Sequence, residues 1–316
     1  MSEVTPLSKS LETRETPSDS NALIDALREA PLVEQRGKLV SALGTSLRVK
    51  GVRARIGDLC EISTPGRDGS VTAEVVGFSE GSALLTPLGP VRGLAPDSEI
   101  ILRTGQSKIP YGEHLMGRVF DAALNPIDGL GPVHRQPARD LRGSPPSPMQ
   151  RAPITDVFET GVRAIDGLMT LGQGQRIGIF AAAGSGKSTL LGMLARHTEA
   201  DAFVIGLIGE RGREVREFVE DVLGEEGLAK AIVIVATSDR PAMERVRAAE
   251  AATAVAEGLR DQGKHVVLMM DSITRFARAH RGHGRRRNCP GIEHRLRPDT
   301  WLSDQGLRPV PQYRPP

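Results

Sequence analysis

Aromatic residues are scarce in this 316-residue chain, at 3%. Any core must therefore be built from leucine, valine, isoleucine and alanine. Cysteine is scarcer still: Cys60 and Cys289 are the two present. Two are too few for a disulfide framework or a four-cysteine zinc site, and a reduced compartment is the simplest reading. No apolar run approaches the roughly 18 residues of a membrane span. The stretch Met1–Ser10 lacks the apolar core of a signal peptide, so the expected location is cytoplasmic. No internal repeat is visible. With 39% hydrophobic and 25% charged residues, the chain is neither a collagen nor a coiled coil, and its length corresponds to about two domains. Glycine is in excess, with 35 residues. That is well above the usual ~7% and points to tight turns, or to backbone that must approach a ligand closely.

The net charge of +2 is unevenly placed. Residues 280–316 hold eight arginines and no lysine, against Glu293, Asp299 and Asp304, so the rest of the chain is acidic on balance. The basic character resides in this tail. It gives no ground for expecting the body to bind nucleic acid.

Residues 1–37 read as a disordered segment with one short helix, Asn21–Ala30, stopped by Pro31. From 38 to 103, short runs such as Ser46–Val49, Leu59–Ile62, Val71–Val76, Ala83–Leu85 and Ile100–Leu102 alternate with turns at near ten-residue spacing. That pattern predicts a small barrel or sandwich. Residues 104–152 are rich in Gly and Pro and read as extended connecting chain. From Gln175 onward, apolar runs (Arg176–Ala181, Ala202–Ile208, Ala231–Ala236, Val266–Met270) alternate with helices. One helix, Glu214–Val222, places Val215, Phe218, Val219 and Val222 on one face. Thr237 or Ser238 is positioned to cap the next, with Pro241 in its first turn. Continuous apolar strands alternating with helices predict a parallel sheet covered on both faces.

Ala181–Ser188 matches the phosphate-binding loop pattern except that Ala181 stands at the first glycine. A loop without bulky side chains lets successive N–H groups face phosphates, and the following helix N-terminus favours negative charge. In this arrangement Lys187 reaches the β- and γ-phosphates and the Ser188 hydroxyl is a Mg²⁺ ligand. The candidate nucleotide-binding residues are Ala183, Gly184, Ser185, Gly186, Lys187, Ser188 and Thr189; the alternative is an ordinary glycine-rich turn. Asp271, ending an apolar run, is the candidate acidic partner for Mg²⁺; alternatively it caps the helix starting near Ser272. Glu210 follows the second run directly, at the strand edge where ligands bind in open α/β sheets. It is the candidate base, against a reading of Gly209–Glu214 as a surface loop of paired charges.

Glu210-Arg211-Gly212-Arg213-Glu214-Val215, this loop, and Asp271-Ser272-Ile273-Thr274-Arg275-Phe276-Ala277-Arg278 together resemble the export ATPases of type III secretion, relatives of the catalytic subunits of rotary ATP synthases. Thr160–Leu168 and Gly174–Phe180 resemble family segments too, and details at Ala182–Ser185 and Ile165–Gly167 look more like the injectisome branch than the flagellar one. The resemblance implies a β-barrel domain (38–103) for ring assembly, then a RecA-like P-loop ATPase domain (104–280), incomplete at its C-terminal part, and an irregular Arg/Pro-rich tail (281–316). It implies a homohexamer that uses ATP and Mg²⁺ for chaperone release and unfolding of secreted proteins. The chain would work in the cytoplasm at the inner membrane, with stalk and regulator proteins and substrate–chaperone complexes as partners. It also implies that Lys187 contacts phosphates, Ser188 and Asp271 serve Mg²⁺, Glu210 is the catalytic carboxylate, and Arg211 and Arg275 are arginines near the site, with Glu210, Lys187 and Arg211 as the catalytic set.

The likeness is expected to stop at about Ala279–Arg281. Family members continue there with further strands and a helical domain, which carry an arginine that reaches the neighbour's site and an aromatic that stacks on adenine. The abrupt loss of pattern favours a frameshift over a selected basic tail or a merely solvated one. It leaves one edge of the sheet uncovered, and hydrolysis by the chain as written is expected near background. The competing readings are a non-catalytic fragment that at most binds nucleotide or assembly partners, and an ion-translocating ATP synthase-type subunit. An RNA-translocating hexamer is disfavoured by Glu210–Arg213.

Overall fold

The computed structural model describes residues 34–284 except 45, 64–69, 90, 92, 97, 104–107, 146, 152 and 183. Of the segment read as disordered, residues 1–33, with the helix expected at Asn21–Ala30, lie outside the described residues, as does the tail beyond 284; residues 36 and 37 already belong to the first strand of the barrel.

Six strands close into an antiparallel barrel. They are β1 (Arg36–Leu43), β2 (Ser46–Lys50), β3 (Leu59–Ser63), β4 (Ser70–Ser79), β5 (Ser82–Pro87) and β6 (Glu99–Arg103), in the order β1-β2-β5-β4-β3-β6. Alternate residues point inward, so Leu39, Leu47, Val49, Ile62, Val75, Leu85 and Ile100 fill the interior. Register shifts at Leu39/Ser41 and Val75/Gly77 bend the strands round. Cys60 is buried in this core, and burial pushes its thiol up to about 12, which makes it an inert packing residue. The five runs read as strands are β2 to β6.

Beyond the barrel come β7 (Lys108–Pro110), β8 (Arg118–Phe120), β9 (Ala138–Asp140), β10 (Val157–Phe158), α1 (Arg163–Leu168) and β11 (Leu171–Gly172). Then α2 (Lys187–His197), β12 (Ala202–Ile208) and α3 (Gly212–Glu217) follow, and α3 runs through a π-turn at Phe218–Leu223 into α4 (Gly224–Ala229). The last elements are β13 (Ala231–Ala236), α5 (Ala242–Asp261), β14 (Val266–Asp271) and α6 (Ile273–Gly284). The central sheet is parallel, in the order β14-β12-β13-β8; β7 pairs with β9 and β10 with β11.

Both sheet faces are covered. Leu191, Leu194 and Ala195 of α2 pack on Phe203, Ile205, Leu207 and Val233. On the other face Ala248, Ala251, Ala252 and Val255 of α5 pack on Val204, Ile208, Ile232 and Ile234. The run of alanines lets α5 lie close to the strands, and Gly258 leaves a notch for Tyr111. A Cβ there would sit 2.3 Å from Tyr111 Cγ. Gly258→Ala is therefore expected to lower stability by about 1–3 kcal/mol through overpacking, read as a lower urea midpoint. Gly167→Ala, with open space around it, is the control; equal midpoints for the two variants would mean that Tyr111 is not seated in the notch.

A charged cluster joins the barrel to α5. Arg142 donates to both carboxylate oxygens of Glu250, at 2.9 and 3.1 Å, and stands 3.5 Å from Glu74 of β4. Arg247, 2% exposed, faces Glu74 at 3.9 Å. Burial lowers its pKa while the two glutamates oppose that shift.

Four expectations are corrected. Residues 104–152 are not simply connecting chain, because β8 within them is the fourth strand of the parallel sheet; bounded by Gly117 and Asp121, it is too short to show a period. Arg176–Ala181 forms no strand. A strand is made by pairing, and this run pairs with nothing among the described residues; Ile179 touches the core while Ile177 and Phe180 are 47% and 95% exposed. Neither Thr237 nor Ser238 caps α5, whose N-cap is Pro241 without a side-chain bond; Arg240 N–H donates instead to Thr237 O across a turn at 3.1 Å. Finally, α6 stays helical through Gly284, past the residue-281 start of the irregular tail.

Candidate active site

The carboxyl ends of β12, β13 and β14 form one edge, and the sequence places its charged residues there. β12 ends at Ile208 and turns at Gly209, whose φ of +77° lies in the left-handed region that favours glycine. A Cβ on Gly209 would also lie 3.0 Å from Arg275 Cδ. The turn is tied to its neighbours: Gly209 N–H donates to Ala236 O at 2.6 Å and Ser238 N–H to Glu210 O at 2.9 Å.

Across this edge lies the glycine-rich loop. Gly184 and Gly186 hold φ of +78° and +85°, and Gly186 begins α2 without a side-chain cap. The first-turn amides of α2 are thus left for an anion. Ser185 closes the loop through its hydroxyl, which donates to Ala182 O at 2.5 Å. Gly184, Ser185, Gly186, Ser188 and Thr189 are exposed, and Lys187 is half-buried. Ala183, expected in the binding set, lies outside the described residues.

Lys187 Nζ meets Asp271 Oδ1 directly. Asp271 ends β14 with its side chain 8% exposed, and it does not cap the next helix; Ser272 Oγ accepts from Arg275 N–H at 3.4 Å instead. On the far side Glu210 is 15% exposed, with Arg275 Nη2 at 3.3 Å from its Oε2. The other guanidinium nitrogen, Arg275 Nη1, donates to Gly209 O. Burial, then the Asp271 charge, then a hydrogen bond with Glu214 push the Glu210 carboxyl up to about 7, against Arg275 and Lys187. Glu214, despite some burial, is held below the ordinary carboxylate range by that bond and by Arg211.

Lys187, Asp271, Glu210 and Arg275 are thus gathered at one place. Arg211 is not: its side chain is 64% exposed and pairs with Glu214 at 2.9 Å. Glu214 was not among the expected site residues. Its bond with Glu210 is made by the turn into α3, which begins at Gly212 and leaves Glu210 ahead of the helix.

The donor set suits Mg²⁺. Asp271 already accepts a cationic group, and a carboxylate with a Ser188 hydroxyl is the hard-oxygen chemistry this ion takes. Among the described residues no three His, Cys, Asp or Glu side chains form a metal site.

The nucleotide-binding domain of the ATP synthase alpha/beta family matches residues 161–295, and the beta-barrel domain of the same family matches residues 39–105. The chain belongs to the ATP synthase alpha/beta family. Within it, the chain is 49% identical to a type 3 secretion system ATPase of Xanthomonas euvesicatoria over 272 residues, 85% of this chain and 61% of that protein. It is 50% identical to a flagellum-specific ATP synthase of Bacillus subtilis (strain 168) over 268 residues, 84% of this chain and 61% of that protein. Among solved structures, the assembled ATPase EscN in complex with its central stalk EscO, from the enteropathogenic E. coli type III secretion system, superposes with a TM-score of 0.73 at 44% identity. That match covers 78% of this chain and 60% of that one. The chain spans about three-fifths of the length of these relatives. The match to the ATP synthase alpha/beta nucleotide-binding domain runs to residue 295, past the Ala279–Arg281 point where the likeness was expected to stop.

Proposed function

We propose that this chain binds ATP with Mg²⁺ in the loop Gly184–Thr189 and carries the hydrolytic carboxylate of one subunit of a homo-oligomeric ring, a hexamer by analogy. The hydrolysis drives protein export at a type III secretion apparatus. The observation that carries this reading is the convergence of Lys187, Asp271 and Glu210 on the carboxyl edge of one parallel sheet.

The loop amides and Lys187 hold the β- and γ-phosphates. Ser188 and Asp271 hold Mg²⁺, which supplies charge neutralisation on the phosphate oxygens. Glu210 takes the proton of the attacking water, and a carboxyl near neutrality is suited to accept and return it. Arg275 keeps that carboxylate in place. By analogy with the EscN assembly, a stalk protein is a partner, and regulator proteins and chaperone–substrate complexes complete the set. Release of the chaperone and unfolding of the secreted protein are the work done. No described helix is long and apolar enough to cross a membrane, and the proposed place is the cytoplasm, peripheral to the inner membrane.

The test is phosphate release measured beside molar mass over a range of protein concentrations. Release that rises as rings form and stops with EDTA supports the reading. Nucleotide binding with no release at any concentration would favour a subunit that binds without turnover.

A further inference from the structure

The contact between Lys187 and Asp271 joins the two groups that a polyphosphate and a divalent cation would each need. Asp271 is a nearly buried carboxylate, and Lys187 is the cation facing it; Lys187 is 31% exposed, so it can swing outward. A phosphate that draws Lys187 away leaves Asp271 buried without a counter-charge, which is costly. A divalent cation that takes Asp271 must first displace the ammonium. When both arrive together, each residue exchanges one partner for another and neither is stranded.

We infer that the Lys187–Asp271 ion pair is a latch that couples the two halves of the ligand, each half releasing the residue that the other requires. The inference rests on the reading of Gly184–Thr189 as a phosphate cradle and goes beyond it. A cradle alone requires only that each residue touch its own ligand. The latch adds that each residue, while its own ligand is absent, suppresses binding of the other ligand. Such coupling is reciprocal and commonly spans several-fold to a hundredfold in affinity.

Two titrations on the full chain test it. Mn²⁺ without nucleotide is followed by the free-ion resonance signal, and ADP without divalent cation by calorimetry in EDTA. Lys187→Met is expected to bind Mn²⁺ about tenfold more tightly than wild type, because Asp271 is unlatched. Asp271→Asn is expected to bind metal-free ADP about tenfold more tightly, because Lys187 is free to reach it. Residues acting only as direct contacts would leave both affinities unchanged, and either one at or below the wild-type value overturns the latch. Thermal melts establish that each variant is folded; should Lys187→Met fail to fold, the Asp271→Asn titration decides alone. Failure of Mg·ADP to bind wild type would instead sink the cradle reading, while the Mn²⁺ comparison would still test the latch.

Discussion

Glu210→Gln is expected to leave Mg·ATP binding nearly unchanged and to lower phosphate release by about 10²–10⁴-fold, the scale of losing a positioned proton acceptor. The substitution keeps the side-chain shape at the end of β12. The backbone carbonyl of Glu210 still accepts from Ser238 N–H, so the turn is preserved. The carboxylate that Arg275 holds at 3.3 Å is what disappears, and an amide oxygen is too weak a base to replace it. Burial and the Asp271 charge that push Glu210 up to about 7 also place its proton affinity where transfer at neutral pH is effective. Calorimetry paired with steady-state phosphate release, on a ring-forming preparation, reads both quantities. Unchanged release would move the base to another residue.

Lys187→Ala should weaken Mg·ATP binding by about 2–5 kcal/mol, the cost of truncating one member of a largely desolvated charge pair. The phosphates keep the amides of α2's first turn but lose a point charge, a loss that the release of the nearly buried Asp271 to the divalent cation offsets only in part. Equal affinity for the variant and wild type, by calorimetry at fixed salt, would remove Lys187 from the phosphate site.

The parallel sheet was legible because β12, β13 and β14 are continuous apolar runs, as strands buried on both faces must be. The position of Asp271 followed from where the run Val266–Met270 ends. The barrel followed from alternation within short runs and turns between them. β8 was not legible, because three residues carry no period and their membership is decided by pairing with β13. Arg176–Ala181 misled for the converse reason: its composition suits a strand, but a strand exists only against a partner. The last turn of α6 was hidden by its arginine, histidine and glycine composition. At the site, Lys187, Asp271 and Glu210 followed from motif chemistry, whereas the Arg275 contact with Glu210 depends on how α6 returns over Gly209. Glu214's bond to Glu210 likewise depends on the turn into α3, and the outward course of Arg211 is set by its pairing with Glu214.

A loop Gly184–Thr189 built around the β- and γ-phosphates discriminates among nucleotides by their phosphate chain. Calorimetric titration of the wild-type chain with ATP, ADP and AMP, each with Mg²⁺ at one salt concentration, separates phosphate recognition from recognition of the base and sugar. Comparable affinities for ATP and ADP and a loss of at least about tenfold for AMP are expected, since only the first two carry the β-phosphate that Lys187 and the amides of α2 hold. AMP binding as tightly as ATP would contradict this role of the loop.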